Sequence, residues 1–199
     1  MKKRSIFTTA LSIFLGLFSI SAFAGEQPEK GGTLPPIILS VPENPSQKTY
    51  LGLSQGKTFA LTDIKANVLL VEIFSMYCPH CQAEAPAVNR LYGKIEADPR
   101  LQQSIRVIGI GVGNTAFEVN TFREEFHIPF PLFPDPDFKT YSALGKVRTP
   151  FFIGIKRENK GMERIFLVQL GGFGSVDEFL DRVLQESGLN GSVKEGENR

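Results

Sequence analysis

The 199-residue sequence has no tryptophan, only two cysteines and two histidines, and almost no net charge, since 22 basic and 21 acidic side chains leave +1. Each shortage excludes something. Two cysteines cannot staple a disulfide-built mini-protein or furnish a four-cysteine zinc site. A balanced charge supplies no basic footprint for nucleic acid, so none is expected as a partner. Apolar side chains, by contrast, are plentiful at 42%. That excludes a disordered chain and can fill a core. The length suits one ordinary domain with extensions.

Residues 1–24 have the pattern of an export signal. Lys2, Lys3 and Arg4 form a basic start, an uncharged and mostly apolar stretch follows, and Ala22-Phe23-Ala24 supplies a small-x-small cleavage pattern before Gly25. The alternative is an uncleaved membrane anchor, although Ser, Thr and Gly interrupt the stretch and it is marginal for the ~20 residues of a span. Cleavage would remove three bases and no acids, taking the net charge from +1 to −2. The expected location is periplasmic or otherwise exported, with membrane contact only if the segment is uncleaved. In an oxidising compartment two thiols either lock a fold or do redox work. Cys78 and Cys81 would close so short a loop that a disulfide between them gains little stability. The spacing argues for chemistry.

Residues 25–48 are rich in Pro, Gly and polar side chains, with a short apolar insert at 37–39, and read as a mobile linker that docks late. Residues 50–53 and 58–61 look like two strands of a hairpin around Gln55-Gly56. Residues 68–74 (VLLVEIF) read as a strand buried on both faces. From Cys81 through Ala85, Val88, Tyr92 and Ile95 the apolar spacing becomes helical. Residues 105–110 (IRVIGI) predict a second buried strand, and Thr115 with Glu118 predicts a capping box opening a helix to about 125. A Pro- and Phe-rich connection at 128–137 precedes a short helix ending at Gly145. Strands at 151–155 and 163–170 join around 159–161, Ser175 and Glu178 open an amphipathic helix to about 186, and 188–199 read as a polar tail. The alternation predicts a three-layer α/β sandwich with a mixed central sheet.

Chemistry concentrates in Cys78-Pro79-His80-Cys81. Cys78 falls where a strand yields to a helix, and Pro79 suits the first helical position, where its missing N–H costs nothing. Helix amides and the macrodipole favour a Cys78 thiolate. Cys81, one turn inside, is the shielded partner. Cys78 is therefore the expected attacking sulfur and Cys81 the resolving one. The dipole is worth roughly 0.3 to 2 kcal/mol and lowers a thiol pKa by at most about 1.5. A strongly acidic thiol needs a further positive group, and His80 is the local candidate, unless it simply points into water. Glu72 lies in a buried apolar strand, where an acid should have a raised pKa and could accept the Cys81 proton.

A strand, Cys-x-x-Cys at a helix start and, far downstream, Thr149-Pro150 before a strand resemble the thioredoxin fold. More closely, the run from Gly56 to Ile64, VLLVEIF, Cys78-Pro-His-Cys81-Gln-Ala-Glu84-Ala-Pro86 and the helix inserted before Pro131-Leu-Phe-Pro-Asp135 resemble the exported TlpA/ResA-like thiol-disulfide oxidoreductases, over roughly residues 50–187. The resemblance implies a domain at 49–187 with an N-terminal β-hairpin and an inserted helix. It implies that Pro150 is the cis-proline facing the disulfide and that the Thr149 backbone pairs with an extended substrate peptide. It implies that Glu84 sits near the buried sulfur, and that Glu72 occupies the place of a buried acid. Those proteins usually carry Trp before the first cysteine; Tyr77 stands here, which bears on partner contacts together with Pro79. The implied partners are exported cysteine-containing proteins and a soluble or membrane thiol that donates or accepts electrons, with no cofactor beyond the cysteine pair and no metal.

Two competing functions start from the same cysteines. A peroxiredoxin-like peroxidase would use Cys78 with Ser75 and Arg148, although the proline expected before that serine is absent. A copper-delivery module would ligate Cu(I) through Cys78 and Cys81. Arg148 could instead guide substrate or stand in solvent. Gly109-Ile-Gly-Val-Gly113 has the wrong spacing for a dinucleotide loop and reads as a strand entering a turn. His127 reads as a surface residue, and the phenylalanines at 126, 130, 133 and 138 as core. Pro-His between the cysteines is shared with strong oxidants of the DsbA type, whereas the resembling family mostly reduces, so the direction of electron flow stays open.

Overall fold

The computed structural model describes residues 25–54, 56–158 and 163–189. The expected signal, part of the turn at 55–56, the 159–161 connection and most of the polar tail lie outside the described residues. A five-stranded mixed sheet forms the centre, in the order β5-β4-β3-β6-β7. β3 (Val68–Phe74) is central and all seven of its residues are buried. β4 (Ile105–Val112) and β5 (Leu132–Asp135) continue parallel to it on one side. On the other side β6 (Phe151–Arg157) and β7 (Glu163–Leu170) run antiparallel. The continuous apolar runs of β3 and β4 follow from burial on both faces.

Alternating side chains of β3 feed two cores. Val68, Leu70 and Phe74 pack with Val88, Leu91 and Ile95 of α2 (Pro79–Ala97), Phe122 of α4 (Ala116–Glu125) and Phe179 of α6 (Val176–Ser187). Phe74 stacks on Phe122 with centroids 4.7 Å apart. Leu69, Val71 and Ile73 face the opposite core, with Ile108, Ile110 and Ile153. The expected glycine-rich run is strand β4 entering a turn, and its glycines make room for packing: a Cβ on Gly109 would collide with Leu132, and one on Gly111 with Val119.

Residues 25–48 are docked on the domain, and three readings change. Gly31 N–H bonds to Ile165 C=O at 2.8 Å, Ile165 N–H returns to Gly32 C=O at 2.9 Å, and Ile37 and Leu39 are buried in the second core. The hairpin partner differs. Residues 50–53 close α1 (Pro45–Leu51), and the strand paired antiparallel with β2 (Thr58–Ala60) is β1 (Ile38–Ser40). Asn44 caps α1 by accepting from Ser46 N–H at 2.8 Å, Pro45 opens it, and Gly52 ends it in the left-handed region. Those end signals override a four-residue apolar alternation. The 128–137 connection contains β5, whose Pro134 is tolerated because β5 is an edge strand. Phe138 is exposed and left-handed, unlike the buried Phe130 and Phe133. A short helix, α3 (Pro99–Ser104), precedes β4, and α5 (Lys139–Ala143) follows β5.

Candidate active site

The end of β3 delivers the chain to the N-terminus of α2 at the sheet's C-terminal edge, where open α/β sheets place their sites. The intervening loop is held on three sides. Met76 N–H donates to Asn114 Oδ1 at 2.9 Å, Gln82 Nε2 donates to Met76 C=O at 2.7 Å, and Cys78 N–H donates to Ser75 C=O at 3.0 Å. Cys78 is the N-cap of α2 and Pro79 its first residue. The first-turn amides therefore converge on sulfur instead of on a side-chain oxygen.

The two cysteines are unpaired and unequal: Cys78 is half-buried, Cys81 fully buried. Burial alone would raise the Cys78 pKa, but hydrogen bonds donated to the sulfur by the Thr149 side chain, by the Cys81 backbone N–H and thiol and by the His80 backbone N–H outweigh it and hold the thiol below its ordinary value. Burial pushes Cys81 strongly upward, and the neighbouring Cys78 sulfur adds to this. His80 thus reaches the sulfur through its amide, while its side chain is exposed.

Thr149-Pro150 is a cis peptide. The Cys78 thiol lies 3.4 Å from the Thr149 carbonyl oxygen, to which it donates. Among the described residues the Thr149 N–H has no partner. Tyr77 is exposed and its hydroxyl donates to the Glu118 carboxylate, which also accepts from the Thr115 N–H and hydroxyl.

Two carboxylates lie on the elements that flank the cysteines, β3 and α2. Glu72, on the α2-facing side of β3, is 3% exposed, and its Oε1 has no hydrogen-bond partner among the described residues. Burial first, then the charge of Glu84, pushes its pKa up to about 8. Glu84 lies one turn beyond Cys81 on α2 and accepts from Phe173 N–H at 3.1 Å. Gly172 is pressed against that carboxylate, where a Cβ would collide.

The structure therefore brings Cys78, Cys81, Pro79, His80, Thr149 and Pro150 together, and places Glu72 and Glu84 near enough to interact. Sequence reasoning missed Asn114, Gln82 and Glu118. Asn114 carried a positional signal, because it follows Gly113 at the C-terminal end of a parallel strand, where site residues gather, whereas Glu118 was legible only as half of a capping box.

The model of the AhpC/TSA family matches residues 43–169, from α1 through β7 and across both cysteines. The chain belongs to the AhpC/TSA family. It is similar to the thiol-disulfide oxidoreductase ResA of Halalkalibacterium halodurans, 23% identical over 135 residues, covering 67% of this chain and 72% of that protein. Two solved structures share the fold. One, from Chlorobium tepidum, is assigned as thiol:disulfide interchange protein DsbE, with TM-score 0.58 and 17% identity over 80% of this chain and 98% of that one. The other is a secreted thiol-disulfide isomerase from Corynebacterium glutamicum, with TM-score 0.56 and 21% identity over 77% of this chain and 84% of that one. The expected kinship with TlpA/ResA-like oxidoreductases, within this AhpC/TSA chain, is met.

Proposed function

We propose that this AhpC/TSA-family chain is an extracytoplasmic thiol-disulfide oxidoreductase that exchanges disulfides with cysteine-containing proteins through Cys78 and Cys81. The observation that carries the reading is the asymmetry of the pair: an accessible sulfur with a lowered pKa at a helix mouth beside Thr149-Pro150, and a buried sulfur with a raised pKa behind it. The Cys78 thiolate attacks a client disulfide; the Cys78–client bond forms as the client's own S–S bond breaks, and one client thiolate leaves. Cys81 then loses its proton and displaces the second client sulfur. The protein becomes the disulfide and the client the dithiol. The reverse sequence oxidises a client dithiol.

Glu72 is the group suited to take the Cys81 proton. A base with pKa near 8 sits close to working pH, where general bases are most effective. Glu84 holds Phe173 and, by its charge, helps keep the Glu72 proton on. The free Thr149 N–H suits a short pairing with an extended client segment. Export through residues 1–24 is part of the proposal, supported by the similarity to a secreted isomerase.

Catalysis of insulin disulfide reduction in the presence of a dithiol tests the reading. Turnover that Cys78→Ser abolishes is expected; no turnover above the dithiol alone overturns it. A peroxidase is not favoured, because no described hydrogen bond joins Arg148 to Cys78 and the similar proteins named above carry out disulfide chemistry.

A further inference from the structure

Two cavities meet at the Thr149 backbone. One, of about 300 Å³, is lined by His80, Arg148, Pro150 and Leu170 as well as Thr149. The other, of about 410 Å³, is lined by Ser75, Phe138, Tyr141 and Val147, again with Arg148 and Thr149. Together they run along both sides of the segment that touches the Cys78 sulfur. No carboxylate lines either one; their ionisable side chains are His80, Arg148 and the Tyr141 phenol. Arg148 is exposed, and among the described residues it has neither a carboxylate partner nor a hydrogen bond. A guanidinium left unpaired in a groove with no acid is complementary to a carboxylate brought from outside. Glu118, the acid on the Tyr77 side, is already engaged by Tyr77 and Thr115. The apolar contribution is also exposed: Phe138 is 48% and Leu170 45% accessible, one at each cavity.

We infer that Arg148 is a specificity-determining residue, and that the preferred clients present their cysteine in an extended segment with acidic close neighbours and apolar flanks. The inference rests on the disulfide-exchange reading above. The near-zero net charge of the chain gives no general attraction for acidic peptides, so the selection is local to the groove.

The test uses the reduced full-length protein and two blocked peptides, Phe-Glu-Cys-Glu-Phe and Phe-Lys-Cys-Lys-Phe, each carrying a 2-pyridyl disulfide on its cysteine. Cys78 thiolate forms a disulfide with the peptide sulfur as pyridine-2-thione leaves with the electron pair and takes up a proton. Cys81 then displaces the peptide thiol, leaving the protein oxidised. Rates are divided by those with 2-mercaptoethanol, which removes the intrinsic difference between the peptides and the pull of any thiolate on cations. The acidic peptide should react roughly 1.5- to 5-fold faster at low salt, the range of an exposed ion pair. That preference should shrink toward equality near 1 M salt. Arg148→Glu should reverse the order; because both peptides meet the same variant, any change in sulfur reactivity cancels in the ratio. Equal normalised rates, faster reaction of the basic peptide, or a preference that survives Arg148→Glu would overturn the inference while leaving the exchange reading intact. Failure to react with neutral 2,2′-dithiodipyridine as well as with both peptides would sink the exchange reading and this inference with it.

Discussion

Replacing Glu72 with Gln isolates the cost of keeping an acid inside a sheet. The Glu72 carboxyl holds its proton to about pH 8 in the fold, against 4.5 for an unperturbed glutamate. Between these values the folded state binds more protons than the unfolded one, so stability falls as pH rises through the window. The gap of about 3.5 corresponds to about 5 kcal/mol once the group is fully ionised. About 1 kcal/mol of it is already felt at pH 5, about 3 at pH 7 and nearly 5 at pH 8.5. Glutamine does not titrate. In urea unfolding of the reduced proteins, the stability of the Glu72→Gln variant relative to the native chain should therefore rise by about 2–3 kcal/mol from pH 5 to pH 7, and by about 4 from pH 5 to pH 8.5. Any constant cost of the amide shifts the whole difference without changing its slope. Because burial outranks Glu84 as the cause, Glu84→Gln should flatten the dependence only in part. A difference that stays flat to within about 0.5 kcal/mol across this range would refute the claim that the fold holds this carboxyl neutral.

Three further outcomes follow from the same geometry. Alkylation of Cys78 by iodoacetamide in Cys81→Ser should titrate with a midpoint below that of free cysteine; a midpoint at or above it would contradict the inward-pointing amides at the helix start. Release of a client from its mixed disulfide should quicken as pH rises through about 8, and Glu72→Gln should remove that rise, as stopped-flow traces would show. Leu39→Ala should cost about 2–5 kcal/mol in denaturant unfolding, because Leu39 is buried under the sheet; a loss near zero would mean residues 25–48 contribute nothing to the domain.

Much of this was legible from residues alone where local and global signals agree. VLLVEIF could only be a strand covered on both faces, and it is the central one. The Thr115–Glu118 box opens α4 as the spacing says. Cys78 and Pro79 sit at a helix mouth because proline fits there and nowhere else in the helix so cheaply. Misreadings arose where short segments carry weak periodicity. The alternation at 50–53 lost to the Asn44 and Gly52 ends of α1, and the prolines of 128–137 hid an edge strand that needs few ladder bonds. Long-range partners were invisible for another reason. Nothing local to Asn114 says that its amide oxygen receives the Met76 N–H, 38 residues away. Only the sheet order brings them together, as it brings Gly172 and Phe173 onto Glu84.

The central claim is that Cys78 alone is the sulfur that engages clients while Cys81 waits behind it. Mass spectrometry of Cys81→Ser after incubation with a disulfide-bearing protein tests this most directly. A stable one-to-one adduct linked through Cys78, absent from Cys78→Ser, is predicted. An adduct on Cys81 in the Cys78→Ser chain, or none on Cys78 in the Cys81→Ser chain, would contradict it.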